Sequence, residues 1–472
     1  MGKRKNTVLE NVTILDIADK GQAIARVNEM VVFVTGVVPG DVCDIQIKRK
    51  RKNYAEGFVT KIKELSPIRI DAKCSYFGVC GGCKWQHLSY DKQLEFKHKL
   101  VKDALQRIGK VQVDAFESIL GSANVFEYRN KLEFSFSHRR WLTQEEVDSG
   151  QVFDDVPSLG FHVPGRWDKV LDVKECHLMA EPSNGIRNRV REIALTNEFS
   201  YYNLNEQKGF LRNLIVRSTM TNEWMVILSV AEDRPNDVKL ILDTLVAEFP
   251  QLTSVLWVFN NKPNDTIGEL DIRVHHGNDH IMEEMEGLKF RVGPKSFYQT
   301  NGPQAYELYK ITRHFADLKG SEVVYDLYTG TGTIAQFVAK KAKKVVGIEY
   351  VEAAIADAKL NAELNGIANT SFYAGDMKDV FTQELISKEG KPDVVITDPP
   401  RAGMHADVVA RLNELLPDRI VYVSCNPATQ ARDIQLLSAN YEVKAVRPVD
   451  MFPHTHHVES VALLERRVTS DE

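Results

Sequence analysis

The chain has 472 residues, more than one ordinary core holds, and roughly 100–200 residues per domain predicts two to four domains. Hydrophobic residues make up 43% and charged residues 26%, a globular composition, and no apolar run reaches the roughly 18 residues that span a bilayer. The net charge of −5 excludes nucleic-acid binding by bulk charge alone, yet residues 1–70 carry 13 Lys/Arg against 8 Asp/Glu, so the positive charge is concentrated at one end. The basic start, Met1-Gly2-Lys3-Arg4-Lys5-Asn6, leads into no apolar signal core, which predicts a cytoplasmic protein.

Residues 7–64 alternate apolar and polar in short runs, among them Val12–Ile17, Met30–Val34 and Val42–Ile47, punctuated by glycines and Pro39-Gly40-Asp41. Short strands at this spacing predict a small barrel. Cys43 falls on one of its apolar strands and reads as a small buried residue. The run Lys48-Arg49-Lys50-Arg51-Lys52 is the densest positive patch, of a kind that attracts phosphate backbones by releasing counterions. A helix is predicted over Tyr90–Ile108, with only partial apolar spacing at Leu94, Leu100, Leu105 and Ile108. Residues 121–290 mix strands near 131–136, 211–219 and 223–230 with a helix near 237–249. From about 291 the rhythm changes. Strands at 323–327, 344–349, 393–397 and 419–424 alternate with helices at 333–341, 352–365 and 406–415, which predicts βαβ units and a mostly parallel, doubly wound sheet.

Four sets of residues carry chemistry. The first is Asp326-Leu327-Tyr328-Thr329-Gly330-Thr331-Gly332, a glycine turn between strand and helix, with acidic Glu349 ending the next strand 19 residues beyond Gly330. Such a turn admits a ligand to the backbone, and such a carboxylate holds ribose hydroxyls. A dinucleotide is one reading of it. The sequence Asp398-Pro399-Pro400-Arg401 after a later strand fits S-adenosylmethionine-dependent transferases better. The second is Cys425, directly after the apolar strand Ile420–Ser424 and so at the sheet's functional edge. A free cysteine is often a buried hydrophobe, but beside a methyl-donor site it suits a nucleophile. Carbon 5 of a pyrimidine attacks a methyl group only after a thiolate has added to carbon 6. The third is Glu459, ahead of the strand Val461–Leu464, a candidate for the base that must then remove the carbon 5 proton. Nearby His454, His456 and His457 match no common zinc spacing. The fourth is Cys74-x5-Cys80-x2-Cys83 with the remote Cys176. Four thiolates suit zinc or an iron–sulfur cluster, three reduced unliganded cysteines being the plain alternative, and a cluster of three plus one leans toward iron–sulfur.

Taken together, these residues resemble the RNA uracil-5-methyltransferase family, in its iron–sulfur, TRAM-bearing branch that acts on 23S ribosomal RNA. The resemblance rests on Ser424-Cys425-Asn426-Pro427-Ala428-Thr429, on Phe452-Pro453-His454-Thr455-x-His457-x-Glu459-Ser460, on Cys74-x5-Cys80-x2-Cys83, and on the barrel segments Gly21–Ala25, Val31–Val34 and Val37–Asp41. It implies an α/β multidomain chain. An OB-like TRAM barrel would occupy residues 1–66, an α+β central domain with an iron–sulfur subregion 67–290, and a Rossmann-like S-adenosylmethionine-dependent methyltransferase domain 291–472. It further implies Cys425 as nucleophile, Glu459 as base, and a 4Fe-4S cluster on Cys74, Cys80, Cys83 and Cys176. Tyr328, Gly330, Thr333, Glu349 and Asp376 would line the donor pocket. Gln299 would contact the donor or the base, Asp398 would lie between donor and uracil, and Phe297 would stack on a base. RNA is the implied partner, with transfer RNA as the alternative substrate. Tyr328 and Thr333 stand where the family often has phenylalanine and asparagine.

Rival readings each lack a feature. RNA cytosine-5-methyltransferases carry a Thr-Cys nucleophile with an upstream Pro-Cys. Amino-group methyltransferases, suggested by Asp398-Pro399-Pro400-Arg401, need neither Cys425 nor Glu459. Radical methylthiotransferases space their cysteines x3 and x2. A non-enzymatic RNA-binding protein would not bind S-adenosylmethionine.

Overall fold

A computed structural model describes residues 7–18, 20–153 and 156–468; the basic stretch Met1–Asn6 lies outside the described residues. Strands Val8–Ile17, Ala23–Val27, Met30–Thr35, Val42–Lys50 and Tyr54–Glu64 close into a five-stranded barrel. Their alternating pattern buries one face, with Ile14, Ala25, Val32, Val34 and Ile45 inside, and Cys43 is a fully buried member of that core.

The middle of the chain builds a seven-stranded sheet from Lys131–Ser137, Ser158–Val163, Arg166–Asp172, Leu211–Ser218, Trp224–Val230, Leu252–Phe259 and Ile272–Gly277. Helices Ser183–Thr196 and Pro235–Glu248 cover one face through Ile186, Val190, Ile241 and Leu245. The other face presents Ile215, Ile227 and Val258 to the core shared with the C-terminal domain. Two-sided burial explains the nearly continuous apolar run Trp224–Val230, which only Ser229 interrupts.

The C-terminal sheet has eight strands. In spatial order these are Thr370–Ala374, Lys344–Glu349, Val323–Leu327, Val394–Thr397, Arg419–Ser424, Glu459–Arg466, Tyr441–Val449 and Val113–Phe116. The first five are parallel, and Glu459–Arg466 runs antiparallel to Arg419–Ser424. Helices at Thr333–Ala339, Glu352–Leu364 and Ala406–Leu415 lie where the alternation predicts them. The edge strand Val113–Phe116 comes from residues that the sequence assigned to the central domain, so 67–290 is not one continuous structural unit. A four-residue strand with half-exposed side chains has too little periodicity to be assigned from its sequence.

Helix Tyr90–Ala104 continues through a π-helical turn, Leu105–Gly109. Its apolar period is weak because two of its buried positions are Gln93 and Lys97. No described helix is long and apolar enough to cross a membrane.

Candidate active site

The C-terminal sheet sets out the predicted residues in a row along one edge. Asp376 follows the outermost strand, Glu349 ends the next, and the Tyr328–Gly332 turn follows the third. Asp398 follows the fourth, Cys425 the fifth, and Glu459 opens the antiparallel sixth. Carboxyl ends of parallel strands are where such sheets bind ligands. Because Ser424 pairs with Ser460, the next residues outward, Cys425 and Glu459, flank each other at the sheet edge.

At the donor end, Gly330 and Gly332 adopt φ of 56° and 75°, open to glycine and strained for other residues. A Cβ on Gly332 would lie 2.9 Å from that of Ala358, whereas the space beside Gly330 is open. Tyr328 takes φ of 64° without being glycine, a strain typical of ligand-binding turns. Glu349 accepts hydrogen bonds from the Gly330 and Val351 amides, each at 3.1 Å, which fixes its carboxylate and leaves lone pairs for hydroxyls. Asp376 caps the helix Met377–Val380; burial raises the Tyr328 hydroxyl's pKa, and the charges of Asp433, Asp376 and Glu349 add to it. Thr333 opens the helix Thr333–Ala339, its hydroxyl 3.3 Å from that of Thr331.

At the other end, burial, then Glu459 and Asp398, push the Cys425 thiol up to about 11, while Arg401 pulls it down. Burial, then Asp398, raise Glu459 to about 8. Burial, then Asp326, raise Asp398 to about 7. Like charges crowded in a desolvated site disfavour one another's ionisation. These shifts place the three groups in one electrostatic cluster.

Gln299 is half-buried where the central sheet meets this domain, its carbonyl accepting from Asn130 Nδ2 at 3.0 Å. Phe297 is 73% exposed. Two residues outside the predicted set join the site. Arg401 is the cation acting on both Cys425 and Glu459. Buried Tyr309, on helix Gly302–Ala316, lies within the fields of Asp398, Asp326 and Glu459. Arg401 was visible as the end of the Asp-Pro-Pro-Arg motif; Tyr309 is one more apolar-face residue and gave no signal.

Cys425 opens onto a groove of about 490 Å³ between barrel and helix, lined by Lys20, Lys99, Arg107, Arg401 and His457. Lys99 there is paired with Asp16 and Asp103 at 2.8 and 2.9 Å. The exposed basic run Lys48–Lys52 sits at the barrel end beside Val27–Met30, away from Gly21. His454, His456 and His457 are held neutral by burial, with pKa values of about 4, 3 and 4.

Cys74, Cys80, Cys83 and Cys176 line one cavity of about 710 Å³, all as free thiols. Burial, followed by mutual repulsion, raises Cys80 and pushes Cys83 to about 12. Among the described residues no three His, Cys, Asp or Glu converge as they would around a single ion. The side chains that line this cavity include four thiols, and an all-sulfur donor set is the chemistry that an iron–sulfur cluster takes.

The fold and donor turn define an S-adenosylmethionine-dependent methyltransferase carrying an N-terminal TRAM barrel. The TRAM domain matches residues 6–60, and tRNA (Uracil-5-)-methyltransferase matches residues 272–467. An RNA methyltransferase of Bacteroides thetaiotaomicron, itself uncharacterized, is 58% identical over 96% of this chain and 100% of its own. A similarly uncharacterized one from Chlorobaculum tepidum is 40% identical over 98% and 97%. Among solved structures, Pyrococcus abyssi tRNA (uracil-54, C5)-methyltransferase with S-adenosyl-L-homocysteine superposes with a TM-score of 0.73. It is 30% identical, covering 96% of this chain and 99% of that one. The chain belongs to the RNA uracil-5-methyltransferase family, and it is an RNA methyltransferase.

Proposed function

We propose that this enzyme methylates carbon 5 of a specific uridine in 23S ribosomal RNA through a covalent adduct between Cys425 and the base. The order of residues along the sheet edge carries the reading: donor turn, Asp398, nucleophile, base. The target uridine leaves its stack, at a cost of a few kcal/mol, so that both ring faces are reached. S-adenosylmethionine supplies an electrophilic methyl group when bound at the Tyr328–Thr333 turn, Glu349 and Asp376. Cys425 loses its proton to solvent in the groove it lines, which leaves Glu459 ionised for the later step, and adds its sulfur to carbon 6. Carbon 5, now electron-rich, would take the methyl as the methyl–sulfonium bond breaks and the donor departs as the neutral thioether. Glu459 removes the carbon 5 proton, the sulfur–carbon 6 bond breaks, and the thiolate is released. Asp398 lies between the two halves of the site and reads the base edge, with Gln299 and exposed Phe297 meeting the base or its neighbours.

The four cysteines would hold a 4Fe-4S cluster; their shared cavity and all-sulfur chemistry support this. Fully ligated, it would organise the fold or the RNA contact and take no part in the reaction.

Cys425→Ala is expected to abolish turnover, and Glu459→Gln to trap a methylated RNA–protein adduct visible on denaturing gels. A Cys425→Ala protein that still methylates uridine sinks the mechanism. A second substrate reading, transfer RNA, is favoured by the tRNA (uracil-54, C5)-methyltransferase likeness. Mass mapping of methylated uridines in 23S and transfer RNA from cells lacking the enzyme decides between them.

A further inference from the structure

The segment that delivers Glu459 to the site is not held by its own sheet alone. The loop from Asp450 to Val458 is held by helix Tyr90–Ala104 and the turn before it. The amides of Lys84 and Trp85 both donate to the His454 carbonyl, at 2.8 and 3.0 Å. The His454 amide donates to Gln93 Oε1 at 2.7 Å. Gln93 Nε2 donates to the Trp85 and Leu88 carbonyls at 3.1 and 2.9 Å, which fixes its own orientation. Lys97 Nζ donates to Asp450 Oδ1 at 2.5 Å and to the Phe452 carbonyl at 3.0 Å. The other Asp450 oxygen accepts from the Tyr90 hydroxyl at 3.0 Å. His454 itself has φ of 64°, a conformation that a non-glycine residue keeps only when its surroundings impose it.

Tyr90, Gln93 and Lys97 are spaced by three and four residues, so they form one stripe on the helix. Gln93, Lys97 and Asp450 are all fully buried. A buried ion pair is a poor source of stability, since apolar residues of similar volume often serve as well or better. What such a stripe does supply is a fixed geometry for the chain it grips.

We propose that Gln93 and Lys97 are positioning residues for the proton-removal step, setting the loop that aims Glu459 at carbon 5. This rests on the reading of Glu459 as the base. Neither residue touches the reacting atoms; both act through the backbone of residues 450–454.

The test separates the two halves of the reaction. Fluorine at carbon 5 cannot leave as a proton, so 5-fluorouridine RNA forms the methylated adduct without the step that Glu459 serves. Full-length Gln93→Leu and Lys97→Met proteins are incubated with donor and with in vitro transcripts of 23S and transfer RNA containing either uridine or 5-fluorouridine. On fluorouridine RNA the variants are expected to crosslink through Cys425 within about twofold of the unsubstituted enzyme. On uridine RNA turnover should fall about a hundredfold, the order expected for a misplacement near 1 Å, with adduct accumulating as for Glu459→Gln. Gln93→Glu, which keeps the acceptor for the His454 amide, should recover part of the loss. If crosslinking and turnover fall together, or neither falls, the positioning role is wrong. If Lys97→Met does not fold, Gln93→Leu, which leaves the ion pair intact, decides alone. If the unsubstituted enzyme itself gives no crosslink at Cys425, the Cys425–Glu459 mechanism fails, and the positioning role with it.

Discussion

Cys425 is surrounded by groups that oppose its own ionisation. Burial, Glu459 and Asp398 hold its thiol near 11, and Arg401 offsets only part of this. With a raised pKa, the reactive thiolate is scarce at neutral pH and grows as pH rises. Alkylation of Cys425 by iodoacetamide in the free protein should therefore increase about tenfold per pH unit up to pH 10, followed by peptide mass mapping. Glu459, with a pKa of about 8, is mostly protonated at pH 6 and mostly charged at pH 9. Glu459→Gln should accordingly speed alkylation at pH 9, where a like charge is removed, and leave it unchanged at pH 6. Equal acceleration at both values would mean that the two groups are not coupled. Cys425, Glu459 and Asp398 stood out in the sequence as candidates because each lies within a short motif at a strand end. Tyr309 did not, since a buried tyrosine on an amphipathic helix looks the same whether it faces a core or three carboxylates.

Between the elements, the pairing of Arg419–Ser424 with Glu459–Arg466 does the essential work, since it sets Cys425 beside Glu459. The apolar strand after Glu459 was readable; its partner was not, because alternation reports burial and carries no neighbour's name. The barrel is joined to the same loop. A Cβ on Gly21, at φ of 71°, would come within 2.7 Å of His456 Cβ. Gly21→Ala should lower turnover while S-adenosylmethionine binding, followed by calorimetry, stays within about twofold, because the clash falls on the loop and not on the donor turn. The exposed run Lys48–Lys52 is predicted to contact phosphates. Replacing all five with Gln should flatten the slope of log affinity against log salt by up to about 3.5 on single-stranded RNA, at about 0.7 per contact. An unchanged slope would make the run a solvated turn.

At the scale of the whole molecule, the central and C-terminal sheets are not independent. The central sheet's Ile215, Ile227 and Val258 share a core with Val324, Ile396 and Val423 of the C-terminal sheet, so the cysteine region and the catalytic edge are fixed relative to one another. Anaerobically purified protein is expected to contain about four iron and four sulfide per chain, and Cys83→Ala to lose both. Stoichiometric zinc without iron overturns the cluster. Sequence alone determined the βαβ rhythm of the C-terminal domain, the barrel and the two residues proposed as nucleophile and base, Cys425 and Glu459. These are written locally: two-sided burial makes apolar strands, one-sided burial makes alternation, and a strand end followed by Gly-x-Gly or Cys-Asn-Pro is a short-range pattern. Only the tertiary structure decided that Cys425 meets Glu459, that Cys176 joins three cysteines nearly a hundred residues away, that Val113–Phe116 completes a distant sheet, and that Lys97 pairs with Asp450. Each of these joins segments far apart in the chain, and which partner wins depends on the burial of the whole molecule, information that no window of sequence contains.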